Sequence, residues 1–137
     1  MTCPCGTGTK YTDCCQPYHD GKNPENALLL MRSRYSAYAK GLADYIMLTT
    51  HPFAISLDRQ QWRKTIEQFC LHTHFVKLEI LEFMENPQTA TVTFVATLLQ
   101  GSKDVSFKEK SLFEMVHHRW LYLSGEVEPL SSPKNSV

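Results

Sequence analysis

Cys3-Pro4-Cys5-Gly6-Thr7-Gly8-Thr9-Lys10-Tyr11-Thr12-Asp13-Cys14-Cys15 is the stretch on which the reading of this chain turns. Four of the five cysteines fall within it, in the spacing C-x-C-x8-C-C. A zinc ion takes four ligands in a tetrahedron, and Cys3 and Cys5 can aim both thiolates at one point, with Pro4 fixing the turn between them. Gly6 and Gly8 let the backbone fold closely over the sulfurs, and Lys10 can offset part of the charge that four thiolates leave around a divalent ion. Adjacent side chains usually diverge, so Cys14 and Cys15 share a metal only at a turn or at the first residues of a helix. Three alternatives stand beside an all-cysteine zinc site: His19 in place of Cys14 or Cys15, a disulfide, or no metal. A segment this short has almost no core, so a metal would have to hold it folded.

Working outward, 137 residues leave room for one further domain, and 42% hydrophobic with 11% aromatic residues supports a packed core. Fourteen charges of each sign cancel. That argues against a general nucleic-acid binder, which needs a basic excess. No apolar run approaches the ~20 residues of a membrane span, and the polar, cysteine-rich start does not read as a secretory signal. Free thiols beside a metal site suit the cytoplasm, the expected location.

Residues 16–22 read as a polar linker closing a 1–22 unit, and residues 23–130 as the main domain. Asn23 before Pro24 predicts a capped helix from Pro24 to Lys40, ended by Gly41. A second helix is expected over Leu42–Thr50, and a third from Arg59 to Cys70, with Asp58 and Gln61 as its capping box. From Thr73 the apolar period becomes two, giving four strands: Phe75–Glu85, Thr89–Gln100, Val105–His117 and Trp120–Glu126. Turns are expected at Asn86-Pro87, Gly101-Ser102 and His118-Arg119. The class is α+β: a zinc knuckle followed by three helices on a curved four-stranded antiparallel sheet. Residues 131–137 read as a disordered tail.

The cysteine stretch resembles the SEC-C zinc motif, named from the C-terminal tail of the translocase ATPase SecA. The residues Leu30-Met31-Arg32-Ser33-Arg34-Tyr35-Ser36-Ala37-Tyr38, Asp44-Tyr45 and His51-Pro52 resemble the YchJ family. The resemblance implies a SEC-C motif joined to a cone-shaped nuclear transport factor 2-like (cystatin-like) domain. It also implies a protein partner at the knuckle, since the SecA tail binds an export chaperone, and a possible homodimer through the open sheet face. Many relatives carry a second SEC-C motif at the C-terminal end, where this chain reads as a tail. The family usually shows His-Glu-x-Ser-x-Phe on the third strand; here Lys108 stands in place of the histidine, while Glu109, Ser111 and Phe113 match.

On that strand Val105, Phe107, Glu109, Ser111, Phe113 and Met115 share one face, so Glu109 and Ser111 point inward in an apolar row. Such breaks in a binary pattern mark function or a buried network. Arg34 on the first helix is the expected ion-pair partner of Glu109. Arg34, Tyr35, Tyr38, Trp62, Glu109 and Ser111 are the candidate lining of a small-molecule pocket between that helix and the sheet, with Glu109 the one weak candidate for a catalytic base. Trp62 reads first as core, His51 as a cap at a helix C-terminus, and Cys70 as an inert thiol. The pairs His72/His74 and His117/His118 do not read as a second metal site. The preferred function is a zinc-bearing interaction module. It presents Thr7, Thr9, Lys10, Tyr11 and Tyr18 to a protein partner; a ligand-binding or enzymatic cone is the alternative.

Overall fold

The computed structural model describes residues 1–130; the expected tail at 131–137 lies outside the described residues. Two 3-10 or helical turns follow the first cysteines: Tyr11–Asp13, then α1 (Gln16–His19) in what reads from sequence as linker. Three further helices are α2 (Ala27–Lys40), α3 (Ala43–Leu48) and α4 (Arg59–His72). The sheet comprises β1 (His74–Glu85), β2 (Thr89–Gln100), β3 (Lys103–Asp104), β4 (Phe107–Val116) and β5 (Arg119–Pro129). All pairings are antiparallel in the order β1-β2-β4-β5. The fifth strand, beyond the expected four, is the two-residue β3, which pairs with the end of β2.

Several boundaries differ from expectation for identifiable reasons. α2 is capped by Asn26, whose side chain accepts from Leu29 N at 2.8 Å, and not by Asn23. The Asn23 amide instead donates to His118 O at 2.9 Å, tying the entry of the helix to the β4–β5 hairpin. Gly41 does end α2, at φ 73°. α3 stops at Leu48 because Thr49 and Thr50 turn their hydroxyls back to α3 carbonyls. α4 starts as expected, with Asp58 Oδ1 accepting from Gln61 N at 2.9 Å, and runs two residues past Cys70. The last hairpin turns at His117 and His118, φ 49° and 66°, one residue earlier than expected. Two successive positive φ angles belong to the tight turn that matches strand twist.

Two register shifts in β1, between Phe75 and Lys77 and between Ile80 and Glu82, insert Val76 and Leu81 as extra residues. Bulges of this kind bend a strand and sharpen its twist, and they curl the sheet around α2. A third shift in β5, opposite Leu112 and Phe113, re-aims the strand beside Glu109. The main core lies between α2 and the concave sheet, around Leu30, Met31, Val92, Phe94, Leu98 and Phe113. A second cluster joins α3 and α4 through Ala37, Tyr45, Ile46 and Ile66. No helix among the described residues is long and apolar enough to cross a membrane.

Candidate metal centre and cavity

The N-terminal segment closes on itself through Cys3 N donating to Thr9 O at 2.8 Å and Gly6 N donating to Cys3 O at 3.2 Å. Gly6 and Gly8 take φ near +85°, which other residues rarely adopt. Cys14 and Cys15 stand at the junction between the 3-10 turn and α1, the place where neighbouring side chains can converge. The sulfurs of Cys3, Cys5, Cys14 and Cys15 all lie within 4.8 Å of one another, and Cys5 Sγ is 3.5 Å from Cys14 Sγ. Zn–S bonds of about 2.3 Å in a tetrahedron place sulfurs about 3.8 Å apart, so the four thiols fit one tetrahedral cation.

Electrostatics supports that fit. The Cys15 thiol, bonded to the Cys5 sulfur, chiefly holds the Cys5 pKa down at about 4. The same contact drives Cys15 upward, and burial pushes Cys14 to about 11. Cys5 thus ionises readily while Cys14 and Cys15 resist it, and a cation among the sulfurs would favour the thiolate at each.

His19 stands apart from this set. Its Nε2 donates to Ser33 O at 2.8 Å, and its Nδ1, 2.6 Å from Tyr11 OH, accepts from that hydroxyl. We assign this tautomer from the network, because the carbonyl can only accept. Burial keeps the ring neutral, so both nitrogens are committed and neither offers a lone pair to a metal. The ring also packs edge-on to Tyr45 at 4.7 Å, fastening α1 to α3.

Two of the residues that support the knuckle, Arg32 and Ser36, come from α2, and sequence reasoning misses them. Ser36 Oγ, fully buried, is 3.1 Å from Cys3 Sγ. Arg32 Nη1 donates to Cys5 O at 2.9 Å, and Thr7 Oγ1 sits 3.2 Å from Cys14 Sγ. The signal was present: Ser33 and Ser36, one turn apart, interrupt an otherwise apolar helix face. Lys10 is exposed, and Arg32, not Lys10, makes the cationic contact with the knuckle backbone.

The concave side of the sheet and helices α2 and α4 enclose a cavity of about 370 Å³. Arg34, Tyr35, Tyr38, Trp62, Glu109 and Ser111 all line it. The expected Arg34–Glu109 ion pair does not form. Arg34 Nη1 instead donates to Ile46 O, Thr49 Oγ1 and Thr50 Oγ1 at 2.8–3.1 Å. Its guanidinium lies over the Tyr122 ring, 4.6 Å from the centroid. That ring belongs to β5, whose approach the sequence pattern does not reveal. Glu109 is 8% exposed; its Oε2 accepts from Ser111 Oγ at 2.5 Å and Tyr122 OH at 3.0 Å. Gly125 makes this possible, because a Cβ there would overlap Glu109 Oε2 and come within 2.7 Å of Tyr122 OH. Among the described residues the Tyr35 hydroxyl is buried without a hydrogen-bond partner.

The remaining candidates resolve plainly. Trp62 both packs on the α3–α4 cluster and faces the cavity. His51 does not cap a helix C-terminus: its Nδ1 accepts from Phe53 N at 3.0 Å at the start of a 3-10 turn, and its Nε2 meets Glu114 Oε1 at 2.6 Å. Cys70 is half-buried, and burial raises its thiol pKa. His72, His74, His117 and His118 are exposed, and none joins a metal-sized group among the described residues.

Comparison with known proteins agrees with this division. Residues 2–17 match the SEC-C motif, and residues 26–125 match the middle NTF2-like domain of YchJ. UPF0225 protein plu2503 of Photorhabdus laumondii is 39% identical, covering 98% of this chain and 86% of the relative. A SEC-C motif protein of Rhodopseudomonas palustris, RPA3114, is 34% identical with a TM-score of 0.75, over 92% of this chain and 98% of its own. A SEC-C motif protein of Psychrobacter arcticus is 28% identical with a TM-score of 0.77, over 99% and 85% respectively. A cysteine knuckle docked on a curled α+β cone, matched at both parts and along nearly the whole length, makes this chain a member of the YchJ (UPF0225) family.

Proposed function

We propose that this chain is a small-molecule-binding protein whose N-terminal zinc knuckle is a structural clamp. The observation that carries the reading is the cavity: about 370 Å³, half of its lining aromatic, with a buried carboxylate that no cationic side chain among the described residues pairs. Apolar cavities of this size with few convergent polar groups are where small ligands bind. Binding fits better than catalysis, because one oxygen of the lone buried carboxylate is already held by two hydroxyls and no second acid–base group among the described residues converges on it. The preference read from sequence, a knuckle built for protein contact, loses ground because its aromatic residues are used internally. Tyr11 meets His19 and lies under Lys40 Nζ, and Tyr18 donates to Glu25 Oε1.

The clamp follows from the donor set. Four thiolates suit zinc, which supplies charge and a fixed tetrahedron and no redox chemistry. The chain contributes Cys3, Cys5, Cys14 and Cys15 as ligands, with Ser36 and Thr7 placed to donate to sulfur. Elemental analysis of protein purified without chelators tests it, one zinc per chain being expected; iron in its place would overturn the metal assignment but not the four-sulfur site.

For the cavity, thermal-shift measurements over a metabolite library should find stabilising compounds. Ala96→Leu, which narrows the cavity, should abolish the shift. No stabiliser for the intact protein would remove the reading. A second reading, a docking surface for a protein, rests on the run Gly6–Lys10 being exposed while the sulfurs face inward. It predicts that Thr9→Glu with Lys10→Glu loses a partner captured by the unaltered protein.

A further inference from the structure

Glu109 is more than nine-tenths buried, and only one of its two oxygens is satisfied by the protein. Both donors, Ser111 Oγ and Tyr122 OH, go to Oε2; Oε1 has no partner among the described residues, and the side chain lines the cavity. Arg34 is the cation that also lines this space, and it is turned to the C-terminal end of α3, with the Tyr122 ring against its guanidinium. The cavity that Glu109 lines is otherwise largely aromatic, with Tyr38, Trp62, Phe69 and Phe75 in its wall and Phe94 beside Glu109 on the neighbouring strand. A buried carboxylate is costly unless paired, and aromatic faces attract cations.

Resting on the ligand-binding reading above, we infer that the cavity selects an organic amine in its protonated form. Its ammonium N–H donates to Glu109 Oε1, and its apolar body lies among the aromatic rings. Ser111, Tyr122 and Gly125 act as positioning residues: the two hydroxyls fix one oxygen, and the missing side chain of Gly125 gives the carboxylate room to turn the other toward the ligand.

The test uses the full-length, metal-loaded protein and three matched sets of arylalkyl probes, each an amine, its isosteric alcohol and its carboxylate, beginning with phenethylamine, phenethyl alcohol and phenylacetate. Intrinsic tryptophan fluorescence, to which Trp62 in the cavity wall contributes, and calorimetry report binding. Hydrogen bonds to charged groups contribute about 1.5–3 kcal/mol, so each amine should bind roughly 10-fold or more tightly than its alcohol, with the carboxylates weakest. Glu109→Gln should erase that preference by bringing the amine's affinity down to that of its alcohol. Alcohols binding as well as amines would overturn the amine assignment and leave the cavity reading intact. Failure of all three classes would overturn both. The comparison among probes needs no variant, so it stands even where Glu109→Gln does not fold.

Discussion

Gly125 carries no side chain because the space beside it belongs to Glu109 and Tyr122. Gly125→Ala should therefore destabilise the protein by about 1–3 kcal/mol, the cost of overpacking a filled site, read from the midpoint of urea unfolding. Tyr35 gives the opposite expectation. Its hydroxyl is buried and unpaired, so Tyr35→Phe removes an unsatisfied group and should be neutral or stabilising by about 1 kcal/mol, with ligand binding unaltered. At the knuckle, His19→Ala should keep full metal stoichiometry, since both ring nitrogens already serve Tyr11 and Ser33, whereas Cys15→Ala should lose it. Elemental analysis of the two variants side by side separates a four-sulfur site from a mixed one.

Helix α2 is the element that joins the two sites. One side of it presents Arg32, Ser33 and Ser36 to the knuckle; another presents Met31, Arg34, Tyr35 and Tyr38 to the cavity. Its first turn is capped by Asn26 Oδ1 on Leu29 N, with Glu85 Oε1 accepting from Ala27 N at 3.4 Å, so Asn26→Ala should cost about 1 kcal/mol, measured by denaturant unfolding. Asn23 is the residue that reads as the cap from sequence, because Asn before Pro fits a helix start. Both asparagines carry the right chemistry, and only the path of the chain toward the β4–β5 hairpin decides which one faces the first turn. The strands show the same division. Alternation in β4 correctly places Glu109 and Ser111 inward, and both are buried. The bulges at Val76 and Leu81 leave no comparable mark, since a bulge depends on what the opposite strand can pair with.

At the scale of the molecule, metal and fold are linked through protons. With Cys14 near 11 and Cys15 also raised, both thiols are protonated at neutral pH in the metal-free protein and must lose those protons on binding. Metal affinity should thus rise with pH and fall as pH drops below neutrality. The slope is about 10-fold per pH unit for each proton released, hence at least about 100-fold for these two, checked by competition with a chromophoric chelator between pH 6 and pH 8. The ion is also asked to hold the knuckle on α2. Chelation should expose residues 1–22 to proteolysis, while the domain with its core around Leu30, Val92 and Phe113 stays folded, as limited digestion and mass spectrometry would show.

Local chemistry alone brought out the four clustered cysteines, the order of the three main helices and four long strands, and the inward face of β4. These depend on spacing within a few residues: two cysteines around a proline, an apolar period of 3.6 or 2, a carboxylate breaking that period. The tertiary structure decided what Glu109 touches. Arg34 was the expected partner, but the bulge in β5 brought Tyr122 and Gly125 to the carboxylate, and the C-terminal end of α3 offered Arg34 a carbonyl and two hydroxyls. Pairing between residues distant in sequence is fixed by how strands curl and where a helix end falls, and neither is written in the residues that pair.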